Sequence, residues 1–314
     1  MKKALQYVIA VALLVITIVG IVGCGSGKPA GGDSAGKNEN KPTIVVGSKT
    51  FTEALLLGTL SYQYLQYLGY PVENKVGLGE LAVIRPALES KQIGTYWEYT
   101  GTVLINVMKH APSFDEKESF NLVKEWDAKN NIIWLDNAPL NDTYAVMVRK
   151  DIADKYNLRT TSDLIEQIKK GEKIRFITSQ EYLGRPDGLS HFETVYNFKY
   201  PRDLNILAAL NIGYEALKNN QAEMALAYTT DARVKAYGLV TLADDKSAFA
   251  VYSAAPLFRE EILEAYPEIP SQMKKLSSLL DNDTIMDLNK AVDIDKKSVE
   301  EVAKQFLTQK GLIK

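Results

Sequence analysis

Apolar positions change rhythm along this chain. They run almost unbroken from Ala10 to Val22, interrupted only by Thr17 and Gly20. Large apolar side chains are missing over 25–41, and from Thr43 onward short apolar runs alternate with segments of helical period. Residues 43–47 read as a buried strand, 53–68 as a helix stopped by Gly69, 72–76 as a strand, 80–91 as a helix weakened by Pro86, and 94–97 as a strand. Helices over 99–109 and 116–129 lead to a strand at 132–135, a turn-rich segment at 136–142 containing Pro139, and a strand at 144–148. The pattern then restarts with a helix at 163–170, a strand at 174–178, helices near 188–196 and 213–219, a strand at 223–228 and a helix at 231–237. From Pro256 onward the whole tail has helical pattern. Alternating β and α segments predict an α/β fold with a mainly parallel sheet covered on both faces. The restart predicts two lobes, the first from 43–140 and 246–314, the second from 141–245 inserted between them, with two chain crossings as the hinge.

The start of the chain stands apart from this fold. Met1-Lys2-Lys3, the apolar run and Gly23 before Cys24 have the layout of a secretory signal peptide over 1–23. Ile21-Val22-Gly23-Cys24 resembles a bacterial lipobox, which implies cleavage before Cys24 and acylation of its thiol by diacylglycerol and palmitate-like chains. Cys24 is the only cysteine, so it has no intramolecular disulfide partner, and lipidation supplies its role. Two or more acyl chains hold a membrane far more firmly than one. Residues 24–42 then read as a tether, because a Gly-, Ser-, Asn- and Lys-rich segment buries too little to offset its ordering entropy. At about 5–6 Å times the square root of length it spans roughly 20–25 Å. The expected location is the extracytoplasmic face of the cell membrane.

Charge and histidine content narrow the chemistry. Net charge is -2 and the basic residues are scattered, which leaves no nucleic-acid footprint. Only two histidines occur, His110 at a helix end and His191 in a helix, both read as surface or cap residues. No histidine, cysteine and carboxylate cluster has metal-ligand spacing, and phosphate-loop and dinucleotide motifs are missing. Neither a cofactor, a metal nor an enzymatic activity is expected.

Binding residues are better supplied. Thr95-Tyr96-Trp97-Glu98-Tyr99-Thr100-Gly101-Thr102 packs three aromatic rings, a carboxylate and three threonine hydroxyls at a strand end that feeds a helix start, where open α/β sheets place ligands. Aromatic residues in a strand are most often core, so further segments are needed. Gly47-Ser48-Lys49-Thr50-Phe51-Thr52-Glu53 closes the first strand with a hydroxyl and a carboxylate able to cap the next helix, and sets Lys49 at the mouth of the sheet. Asn141-Asp142-Thr143-Tyr144 and Tyr252-Ser253-Ala254-Ala255-Pro256 flank the two crossings. Leu183-Gly184-Arg185-Pro186-Asp187-Gly188-Leu189 precedes a helix, and Ala227-Tyr228-Thr229-Thr230-Asp231 ends a strand and caps another.

Together these six segments resemble the substrate-binding proteins of ATP-driven (ABC) importers for glycine betaine, choline and related osmoprotectants, along 43–312. The resemblance implies a two-lobed periplasmic-binding-protein-like (type II) fold with a ligand cleft between the lobes. It also implies a quaternary-ammonium ligand caged by Tyr99, Tyr144, Tyr228 and Tyr252, with Asp142 close to the cation. Such a cation has no N–H to donate, so aromatic faces must read it. Lys49, Thr102 and Arg185 match the positions that hold the ligand carboxylate, Arg185 through its planar fork. An acidic residue stands at the position of Thr102 in choline-restricted members, so threonine favours a betaine. The implied partners are a membrane permease and, through it, an ATPase, with the chain acting as a monomer. Choline, carnitine, ectoine or a proline derivative are alternative ligands, and a surface-tethered choline-ester hydrolase, for which no nucleophile and base are evident, is the alternative class. Glu80-Leu81, Pro86 and Gly94 depart from the family pattern and bear on the geometry of the first-lobe helix.

Overall fold

The structure is a computed structural model and describes residues 41–208 and 210–314. The signal peptide, Cys24 and the tether up to residue 40 lie outside the described residues. Lys41–Lys314 forms one compact unit.

Two five-stranded sheets organise it. The first has the order β2 (Val72–Lys75), β1 (Ile44–Gly47), β3 (Thr95–Tyr99), β10 (Ala254–Arg259), β4 (Ile132–Trp134). The second has the order β7 (Asn205–Leu207), β6 (Phe176–Thr178), β8 (Met224–Tyr228), β5 (Tyr144–Val148), β9 (Val240–Thr241). Helices cover the faces of each sheet, and β3 and β5 are buried along their whole length, which is why β5 reads as an apolar run without alternation.

Both sheets are mixed, which corrects the expectation of a mainly parallel arrangement. β1 runs parallel to β2 and β3, but β10 is antiparallel to β3 and β4; β6 is parallel to β7 and β8, but β5 is antiparallel to β8 and β9. The physical reason lies in the connectivity. β5 and β10 are the first strands after the two crossings, so each enters its sheet from the side of the other lobe and runs against its neighbours.

β10 also corrects the reading of the tail as wholly helical. It is buried on both faces, carries Pro256 at its centre and leads directly into the helix Glu260–Ala265, so no alternation marks it. Proline is tolerated because the Ala254 and Pro256 carbonyls both turn to the 135–138 segment, accepting from Ala138 N at 2.9 Å and Leu135 N at 3.1 Å. The missing N–H of Pro256 falls on that side, past the end of β4, and no ladder bond to β3 is lost.

Smaller differences follow from local packing. The helix Lys150–Tyr156 and the short strands β7 and β9 carry too few residues for a period to register. Pro86 sits inside Leu81–Glu89 without ending it. That helix is anchored by Arg85, whose guanidinium pairs with buried Asp127 while Trp134 Nε1 donates to the same carboxylate at 2.7 Å. Phe51 rather than a hydroxyl residue precedes the helix Thr52–Tyr67, and no side chain caps it, so the expected capping by this segment does not occur. Thr52 Oγ1 instead donates to Asp293 at 2.6 Å.

The crossings lie side by side. Tyr252 N donates to Asn141 Oδ1 at 2.7 Å, Asp142 N to the Tyr252 carbonyl at 3.2 Å and Ala254 N to the Leu140 carbonyl at 3.0 Å. The helix Asn282–Asp293 braces them, with Asn282 and Asn141 exchanging hydrogen bonds of 2.9 and 3.0 Å.

Candidate functional site

A cavity of about 610 Å³ opens where strand ends of both sheets meet the crossings. Lys49, Tyr99, Thr102, Asp142, Tyr144, Arg185, Tyr228 and Tyr252 all line it, so the structure brings together every side chain nominated from the sequence.

Strand register builds the aromatic wall. Tyr144 and Tyr228 are directly opposed in the β5–β8 ladder and therefore share one face, where their rings stack at 5.1 Å and 21°. Tyr228 stays 38% exposed toward the cavity while Tyr144 is buried, and Tyr182 closes edge-on behind Tyr144 at 5.6 Å. Across the cavity, Tyr99 is the last residue of β3. Its ring meets Phe51 at 6.1 Å and its hydroxyl donates to Glu53 Oε1 at 2.6 Å. Tyr252 stands just before β10, and its ring lies against Gly101, where a Cβ would come within 2.7 Å of Tyr252 Cδ1 and 2.6 Å of the Val251 carbonyl.

The basic side chains are held by acidic ones. Lys49 lines the cavity just after β1. It is buried, forms an ion pair with fully buried Glu98, and places Nζ 5.2 Å from the centre of the Tyr99 ring. Glu98 also accepts from Tyr96 Oη at 3.0 Å and from Tyr99 N at 2.8 Å. Arg185 sends Nε and Nη2 to the two oxygens of Asp187, each at 2.8 Å, and Nη2 also reaches Tyr252 Oη at 3.0 Å. Its guanidinium sits 5.8 Å from the Tyr144 ring centre. Asp187, followed by the Tyr252 hydroxyl, drives the Arg185 pKa further upward, so the fork stays charged.

Carboxyls on the opposite side behave differently. Glu53, 3% exposed, is pushed up to about 8 by burial and then by Asp142; the hydrogen bond from Tyr99 opposes the rise. Asp142 is raised to about 6 by burial, opposed by Thr230 Oγ1 donating at 2.8 Å. Asn289 links the two sides, with Nδ2 3.4 Å from Glu53 Oε2 and 3.0 Å from the Thr230 carbonyl.

Several lining residues were not foreseen. Glu53, Phe51, Thr230 and Asp231 lie inside the quoted segments, and only their local role was read. Asp231 does cap Ala232–Ala236, accepting from Arg233 N at 2.9 Å. Asn289 and Asp293 come from the helix Asn282–Asp293, where nothing marks them. Glu80 and Leu81, taken to concern helix geometry alone, also line the cavity. His191 is partly buried rather than at the surface, stacked on Phe114 at 4.5 Å.

Two α/β lobes joined by paired crossings around a solute-sized cavity define a solute-binding protein. A family model described as the substrate binding domain of ABC-type glycine betaine transport system matches residues 42–309. The glycine-betaine-binding protein of Pseudomonas aeruginosa is 35% identical over 279 residues, covering 86% of this chain and 89% of that one. The glycine betaine-binding protein YehZ of Escherichia coli is 35% identical over 279 residues, covering 86% and 92%. The solved apo structure of YehZ matches with a TM-score of 0.79 at 33% identity, covering 86% of this chain and 99% of that one. The chain belongs to the family of substrate-binding domains of ABC-type glycine betaine transport systems. It is an extracytoplasmic substrate-binding protein whose partners are a small-molecule ligand and an ABC permease. Among the described residues no helix is long and apolar enough to cross a membrane.

Proposed function

We propose that the protein captures glycine betaine between its lobes and delivers it to the permease, and that Tyr99, Tyr144, Tyr228 and Tyr252 cage the trimethylammonium group. The observation that supports this most is that four tyrosines, from β3, β5, β8 and the segment before β10, line one cavity. Aromatic faces attract a cation that has no hydrogen-bond donor, and tyrosine hydroxyls keep partners when the cleft is empty and wet. Lys49, Thr102 and Arg185 take the ligand carboxylate, with Glu98 and Asp187 holding the two cationic side chains in place. Asp142 adds attraction for the cation.

Contact energies agree with reversible capture. Desolvated cation–π contacts contribute about 0.5–2 kcal/mol each and charge-assisted hydrogen bonds about 1.5–3. After ordering costs, a net of about 8 kcal/mol corresponds to a micromolar dissociation constant. The lobes belong to different sides of the cage, so ligand favours the closed arrangement through contacts made only there. A cavity of this size also fits a longer betaine, which makes carnitine the second reading. Acylated Cys24 and the tether would hold the monomer at the membrane beside its permease.

Calorimetric titration of the 41–314 unit with glycine betaine, carnitine and choline tests the reading. Micromolar glycine betaine binding with much weaker choline supports the cage with its carboxylate clamp. Choline binding best would mean that Thr102 does not select a betaine, and binding of none would refute the cage.

A further inference from the structure

Glu53 sits in the first turn of Thr52–Tyr67, at the hydroxyl end of Tyr99. Groups of every neighbouring element face it. Tyr99 and, beyond it, Glu98 come from β3; Asp142 comes from the first crossing and Thr230 from the loop after β8. Asn289 comes from Asn282–Asp293, which also brings Asp293 to the cavity. The cations on the cavity wall are each paired with another carboxylate: Lys49, whose Nζ lies 5.2 Å from the centre of the Tyr99 ring, with Glu98, Arg185 with Asp187 and Arg233 with Asp231. An ionised Glu53 therefore meets dipoles and a second carboxylate, and burial with Asp142 keeps the empty site protonated at neutral pH.

A cation resting on the Tyr99 ring changes that balance. Tyr99 Oη is 2.6 Å from the carboxyl, so a quaternary ammonium on the ring face comes to on the order of 6 Å from it. An opposite charge at about 4–6 Å favours the ionised form of a carboxyl by about 1–3 pH units.

Given the reading of the cavity as a quaternary-ammonium site, we propose that Glu53 is the counter-charge of the cage: it gives its proton to solvent when the cation settles on Tyr99, so that each capture event releases a proton. While empty the site thus avoids a second buried negative charge beside Asp142, and it gains one when the ligand compensates it. Linkage makes the converse hold, and affinity rises with pH until the free site has lost its proton.

Titration of the protein with glycine betaine, carnitine, choline and tetramethylammonium at pH 7, in phosphate and in Tris, tests this. For a shift of about 1–3 units from a value near 8, roughly 0.4–0.9 proton is released per ligand, read as a buffer-dependent binding enthalpy. Affinity is expected to rise about tenfold or more from pH 6 to 9, with a midpoint toward 8. Glu53→Gln keeps an acceptor for Tyr99 and should bind with no proton release and a flat profile. Binding with buffer-independent enthalpy in the wild type overturns the inference alone. So does release that persists in Glu53→Gln, or a wild-type midpoint near 6, which would make Asp142 the source. If none of the four compounds binds, both the cage and the inference fall.

Discussion

Replacing Tyr228 by alanine removes the wall of the proposed cage least needed by the fold. The ring is 38% exposed, whereas Tyr144 beneath it is buried. Folding should lose mainly the stacked pair, about 0.5–1.5 kcal/mol, a fall of roughly 1–3 °C in melting temperature for a chain of this size. Binding should lose one desolvated cation–π face, about 0.5–2 kcal/mol, which is about a 2- to 30-fold weaker dissociation constant. The upper end is expected, because Tyr144 loses the partner that sets its tilt at 21°. Tyr228→Phe retains the ring and should stay within about threefold of wild type. Calorimetry with glycine betaine and a thermal melt on the same samples measure both effects. A Tyr228→Ala protein with wild-type affinity would refute the cage, and an equal loss in Tyr228→Phe would move the contribution from the ring to the hydroxyl.

Two further outcomes follow from the same geometry. Gly101→Ala forces a Cβ into the Val251 carbonyl and the Tyr252 ring, so Tyr252 and with it the Arg185 hydrogen bond must shift. Weaker ligand binding together with a lower melting temperature is expected, and unchanged values in both would show that the crossing yields freely. Because the Glu53 and Asp142 carboxyls bind protons more tightly in the folded protein than unfolded, these two groups lower stability as pH rises from about 4 to about 8. Glu53→Gln removes the upper part of that slope, on the order of a few kcal/mol, in denaturant titrations compared at pH 5 and pH 8. An identical slope in variant and wild type would mean Glu53 is ionised in the empty site.

Much of the cavity lining was legible because six short segments, each weak alone, together resemble a known family. Tyr144 and Tyr228 were found as members of short segments, and β5–β8 pairing explains their stacking, which neither segment reveals alone. Lys49 was legible as a position, but its buried ion pair was not. Its partner Glu98 lies 49 residues away on a neighbouring strand, and ordinary solvation is the sequence-level default for lysine. Asn289 and Asp293 were invisible, since they reach the cavity only because Asn282–Asp293 folds back across both crossings.

The chain's own pattern carried the α/β class, most strands and long helices, since period is a local property; the tyrosine, lysine and arginine positions came from the resemblance of six short segments to a known family. Strand direction was not local: β5 and β10 run antiparallel because the chain has just crossed between lobes, and the tail strand hid because burial on both faces left it no alternation. The charge state of the cavity was not local either. Glu53 holds its proton because burial and Asp142 surround it, a condition set by three-dimensional packing and absent from any stretch of sequence.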